Sequence, residues 1–363
     1  MCLLVAAGCG QDETHATASS HAQTSAERVR DDECTDTFPP DLLPVMEVTE
    51  SMMVERVFME DALPEKLSET PLYSNIMSKS VHPSVRAYTP EFQLWSDGAD
   101  KQRWVYVPEC SPVDTSDMNN WSVPVGTRFF KEFAVDGRRV ETRIISRIGT
   151  GPRDFAYASY LWNESETEAT RLGPEGLVNA LGTTHDVPTK QACFQCHGTY
   201  ALGGGRPSRG LGFSAIQLAH ADSGLDLFEL ADADVLSHAP DGLPTIPGTP
   251  DERAALGYLH ANCGNCHNDS RDRIPQVNLN LWLDVSHATV EETGAWQTAV
   301  DQPTQFFNDQ HVLGRVVAGN PEESALLYRM RQRGNIAQMP PTASEVPDVE
   351  GIAIIAAWIE GLE

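Results

Sequence analysis

From Glu91 to about Leu172, apolar and polar positions alternate in short bursts. The segments RWVYVP, TRFFKEFAV, RRVETRIISRI and DFAYASYLWN are rich in β-branched and aromatic residues, which predicts strands. Asp136-Gly137, between the second and third, is a favoured two-residue hairpin turn. Several such strands in succession predict an antiparallel β-sandwich-like domain. Further on the period changes. Ser214 and Gln217 form a capping-box pattern ahead of a helix in AIQLAH. Thr249-Pro250-Asp251-Glu252 supplies an N-cap, a proline at the first helical position and the box glutamate, so a helix is expected through ERAALGYLHANC. Asn320-Pro321-Glu322-Glu323 repeats that start before SALLYRM. VEGIAIIAAWIE, apolar nearly all round, is expected to be a largely buried last helix. The stretch from Leu42 to Val81 is mixed and gives no firm element. The fold class expected is multidomain α+β, the β-rich part preceding a mainly helical part.

The chain has 363 residues, long enough for two or three domains. A formal net charge of −26 excludes a nucleic-acid partner and gives a self-repelling surface that could steer basic partners. No stretch reaches the length of a transmembrane helix. The opening MCLLVAAGC resembles the end of an export signal, with Ala6, Ala7 and Gly8 directly before Cys9 as in a lipobox. Cys9 would then carry lipid, and the polar run after it would be a tether. Of eight cysteines, Cys34 and Cys110 lie outside every motif and are expected to pair in an oxidising compartment.

Four cysteines belong to two CxxCH motifs, CFQCH at Cys193–His197 and CGNCH at Cys263–His267. Two cysteines a helical turn apart can both bond one porphyrin edge, and the histidine directly after them can ligate the iron, so each motif predicts a covalent haem c. For the second, Met339 in the proline-rich IAQMPP is the expected sixth ligand. Ala255, Leu259 and Trp358 would pack the flanking helices. His–Met ligation raises the potential and suits an electron relay. The first motif has no methionine between His197 and Met330, and upstream the nearest are Met118 and Met77. Its sixth ligand is expected to be His220, with His238 and His185 as alternatives, or else the iron is open.

The words LSETPLYS, PEFQLWSDGADKQRWVYVP, VPVGTRFFKEF, ETRIISRI, CFQCH, LGFSAIQL, YLHANCGNCH and GNPEESALLYRM, in that order, resemble a family of exported bacterial proteins with two CxxCH motifs. From Thr249 onward the chain resembles class I cytochrome c. The resemblance implies two covalently attached haem c groups and electron transfer. It also implies a separate redox protein partner, with a quinoprotein dehydrogenase as one possibility. The expected order is a signal and lipobox over 1–9, a tether over 10–37, a β-rich domain over 38–182, a first haem segment over 183–248 and a cytochrome c domain over 249–363. Together these expectations describe a periplasmic or cell-surface lipoprotein that carries electrons. A dihaem peroxidase or oxidase, with the first haem binding ligand, is the alternative. A third possibility is a binding module in which the β-domain docks a glycan or a protein.

Overall fold

The computed structural model describes residues 63–109, 111–151, 154–197, 210–220, 224–269 and 277–362. These all belong to one compact unit, Thr35–Glu363. The expected lipobox and tether, Cys34 and Cys110 lie outside the described residues.

The fold is mixed α and β with antiparallel sheets, one of two strands and one of six. The small sheet pairs β1 (Tyr73–Asn75) with β2 (Ser80–Val81). The large one is a meander in chain order: β3 (Arg86–Ala87), β4 (Asp100–Tyr106), β5 (Arg128–Val135), β6 (Arg138–Arg147), β7 (Phe155–Trp162) and β8 (Ala169–Arg171). All four strands expected from the alternation are present. Asp136 and Gly137 take positive φ values of 50° and 76°, the conformation a tight β5–β6 hairpin needs.

Both faces of this sheet are covered. Trp104, Tyr106, Phe130, Ile144, Tyr160 and Trp162 fill one core with Leu67 and Leu72. Their chain neighbours Val105, Phe129, Phe155 and Tyr157 point the other way, into a core with Phe213, Leu218 and Leu227. A period of two with apolar residues on both sides is the sign of a doubly covered sheet.

Six helices complete the described fold: α1 (Lys190–His197), α2 (Leu227–Asp232), α3 (Pro250–Leu259), α4 (Gly294–Ala299), α5 (Ala325–Met330) and α6 (Val349–Glu360). The helix expected in AIQLAH is only a 3-10 turn, Ile216–Leu218, with no side-chain cap. The reason lies in Gln217, whose Oε1 accepts from the Phe92 N–H (3.0 Å) instead of closing a capping box. Helix α6 also departs from expectation. Gly351, Ile355, Trp358 and Ile359 are buried, whereas Val349 and Ile354 face solvent, so it buries one stripe. That stripe shares a core with Ala255, Leu256 and Leu259 of α3, as expected for Ala255, Leu259 and Trp358.

One charge group sits inside the sheet's second face. Glu141 on β6 is fully buried and receives Arg143 Nε (2.6 Å) and Nη2 (2.9 Å). Its Oε2 also accepts from His185 Nε2 (2.8 Å). Burial alone would push the carboxyl up; the Arg143 charge and the His185 hydrogen bond outweigh it and hold it at about 2. A depressed carboxyl stabilises the fold above its ordinary value and loses that contribution as pH falls toward the folded value. Glu141→Gln should therefore cost about 3 kcal/mol at neutral pH. The gap to wild type should close as pH drops from 4.5 toward about 2, read by denaturant melts across that window.

Candidate cofactor-binding site

The second motif is built by α3. Its cap is the expected one: Thr249 Oγ1 accepts from the Glu252 N–H (3.3 Å), and Glu252 Oε2 accepts from the Thr249 N–H (2.7 Å). A single π-helical turn, His260–Gly264, carries the helix into CGNCH. The N–H groups of Cys266 and His267 both donate to the Cys263 carbonyl (2.9 and 2.8 Å), closing a tight knot around the motif. Gly264 is required there, because a Cβ would lie 2.8 Å from the Leu281 carbonyl oxygen. That close approach lets the Leu281 N–H reach the His267 carbonyl (2.8 Å).

Cys263, Cys266, His267 and Met339 line one cavity, whose other walls include Leu279, Leu281, Phe306 and Met330. The Met339 loop is tied down from two sides. Its own N–H donates to the Arg329 carbonyl (3.1 Å), and Arg329 Nε donates to the Ala337 carbonyl (2.9 Å). From the other end of the chain, the Asp97 carboxylate accepts from the N–H groups of Glu345 and Val346 (3.0 and 2.9 Å) and from Ser344 Oγ (3.1 Å). Trp95 Nε1 donates to the Val346 carbonyl (2.9 Å). In the sequence, Trp95 and Asp97 belong to the β-rich part and give no sign of this clasp. Nothing local in QLWSDG signals a partner some 250 residues away.

The first motif is α1 itself. Thr189 caps it, accepting from the Ala192 N–H (3.2 Å), and the helix ends at His197, whose ring lies 6.0 Å from that of Tyr157 on β7. Cys193, Cys196 and His197 line a second cavity against the sheet, with Trp121, Phe129 and Tyr157 among its walls. The two cavities share a boundary, since Cys196, Leu211 and Asn265 line both.

Burial pushes the Cys193 thiol up and the Cys263 thiol to about 12. Thiols that stay protonated are poor nucleophiles, so Cys193 and Cys263 are not activated for exchange. Among the described residues, no group of three or more His, Cys, Asp or Glu side chains is gathered as a site for a bare metal ion.

The three histidines weighed for the first motif each have their own hydrogen-bond partner. His220 Nε2 donates to the Thr89 carbonyl (2.6 Å), His238 Nδ1 sits 2.9 Å from Ser237 Oγ, and His185 is bound to Glu141. None of the three lines the cavity; the histidine that joins His197 there is His260. Met77 is exposed, and Met118 packs against the core that includes Cys193 without lining the cavity. His260 is buried against Trp282 (ring centroids 4.3 Å apart), and its Nδ1 accepts from the Leu283 N–H (3.1 Å). A neutral ring that accepts at Nδ1 carries its proton at Nε2, which makes that nitrogen a donor rather than a ligand. A histidine three residues before Cys263 is visible in YLHANC, but its cavity belongs to the other motif.

No family model, curated protein or solved structure matches this chain.

The Asp97 clasp can be tested on its own. Asp97→Ala removes an acceptor for two backbone donors, and charge-assisted bonds of this kind are worth about 2 kcal/mol each. Hydrogen exchange at the Glu345 and Val346 amides should accelerate at least tenfold, with the β5–β6 hairpin amides unchanged.

Proposed function

We propose that this chain is a dihaem c-type cytochrome that carries electrons between redox partners. The observation that supports it best is the convergence of Cys263, Cys266, His267 and Met339 on one largely apolar cavity. Two thiols, an imidazole and a thioether are the donor set of a His–Met haem c, and the residues present fit that group. Cys263 and Cys266 would hold the porphyrin covalently, and His267 and Met339 would supply the ligands to its iron. Haem held in this way supplies a one-electron couple that needs no proton transfer.

The packing of α3 on α6 through Leu259 and Trp358, with the Met339 loop beside them, supports a class I cytochrome c-like arrangement from Thr249 onward. The sheet would serve as scaffold and as the wall of the first cavity. Cys193, Cys196 and His197 would hold the second haem. Export and lipidation at Cys9 complete the proposal, which places the protein on a membrane surface facing an oxidising compartment. A separate redox protein would donate or accept electrons.

A second reading is favoured by His260. Its side chain lines the cavity of the first motif beside His197, so a second histidine stands where a ligand-binding haem would use one. A dihaem peroxidase or oxidase is therefore the alternative reading.

Two measurements decide. Met339→Leu should leave both haems attached, abolish the red-region band of methionine-bound ferric iron and lower one midpoint potential. Unchanged spectra and potentials would remove the His–Met assignment. EPR of the oxidised wild-type protein then sorts the first haem. A second low-spin signal with no CO binding after reduction supports the pure carrier. A high-spin signal with CO binding to one haem supports the ligand-binding reading.

A further inference from the structure

The wall opposite α1 carries an unusual charge pattern. Arg103 on β4 pairs with Lys131 on β5, and Lys131 pairs with Arg143 on β6, so three cations stand side by side across three adjacent strands. Ser159 on β7 continues the row. Like charges directly opposite on neighbouring strands destabilise a sheet, and burial makes the repulsion worse. Here Arg103 is buried, and Lys131 and Arg143 are half-buried.

All three line the cavity that holds Cys193, Cys196 and His197, and so do Arg171 and Lys190. No Asp or Glu is among the described residues lining it, in a chain whose formal net charge is −26. Arg143 also lies close enough to Cys193 and Cys196 to act on both electrostatically. The row is therefore at the motif.

Its compensation is incomplete. Arg143 is paired with Glu141. Arg103 has only a long bond to Gln93 Oε1 (3.4 Å), a neutral acceptor. Lys131 rests over the Phe133 ring (4.7 Å) and has no hydrogen-bonded carboxylate among the described residues. Burial, with Arg103, Arg143 and Lys101 nearby, drives the Lys131 ammonium well below its ordinary range. One carboxylate, Glu141, thus faces three basic side chains, and the wall is short of negative charge.

We infer that the row Arg103, Lys131 and Arg143 is a carboxylate-binding wall, and that it takes the two propionates of a haem attached at Cys193 and Cys196. The inference rests on the haem reading of the first motif. Two carboxylates supply the negative charge that the wall lacks. Their arrival favours the Lys131 ammonium, as a nearby opposite charge does. The cations in turn oppose oxidation of the iron, raising the potential of this haem.

The test uses the purified dihaem protein. Mass spectrometry of peptides around Cys193–His197 first establishes attachment; its absence would sink the haem reading itself and is seen separately. With both haems attached, Lys131→Met should lower one midpoint potential and leave the other unmoved. It should also shift the propionate-bending bands in resonance Raman, and Lys131→Arg should restore both. Unchanged potentials and bands in K131M would overturn the inference. A titration of wild type with succinate decides independently of how any variant folds. No spectral response is expected, because the wall is occupied. A saturable response that K131M abolishes would make the row a site for a free anion and overturn the assignment to propionates.

Discussion

One buried carboxylate makes the interior of this protein possible. Glu141 lies on the sheet face that turns toward α1, and it anchors Arg143 of the same strand and His185 from the segment before the helix. Without it, three cations would meet in the interior with no opposite charge. With it, the segment leading into the first CxxCH is pinned to the sheet, and the sheet becomes an electrostatic wall rather than inert packing. Phe133 lies within this group, with Arg143 and Lys131 over its ring (4.3 and 4.7 Å) and His185 tilted against it. Cations lying over an aromatic face lose less on burial than cations against aliphatic chains.

Much of this was legible in the sequence, and the remainder was not, for identifiable reasons. Local signals succeeded: the Asp136-Gly137 hairpin, the Thr249 cap and the four long strands each depend on residues within a few positions of one another. The Ser214–Gln217 cap failed because a long-range donor, the Phe92 N–H, captured the glutamine. Helix α6 failed because composition gives hydrophobicity without direction, and only the α3 surface selects the stripe that is buried. That Cys263, Cys266, His267 and Met339 line one cavity agrees with what short words suggest. His260 at the first cavity was not legible, because it sits in the sequence beside the other motif and only the fold brings it to His197. The cationic row is unreadable without register, since Arg103, Lys131 and Arg143 become neighbours only once three strands are aligned.

The segment from His260 to His267 does double duty. His260, Ala261 and Asn265 line the first cavity, and Cys263, Cys266 and His267 line the second. A π turn adds a residue to the helical repeat and so rotates the succeeding residues around the axis. That rotation accompanies a change of cavity within a few residues. The two cavities therefore meet across Cys196 and Asn265, at the segment that serves both.

The contact between Phe92 and Gly257 has a consequence for modularity. A Cβ on Gly257 would sit 2.2 Å from the Phe92 ring, so the aromatic ring from the β-rich part lies flat against the backbone of α3. Asn262 adds to this seam: its Oδ1 accepts from the Trp95 N–H (2.7 Å), and its Nδ2 donates to the Gln93 carbonyl (3.2 Å). The helix bearing the second motif thus uses the segment 92–95 as part of its own interior. Excising the chain from Thr249 onward would leave a groove along α3 and unpair two polar groups beside the cysteines. The C-terminal part is therefore not an interchangeable cassette, and the chain should melt as one cooperative body rather than in two steps.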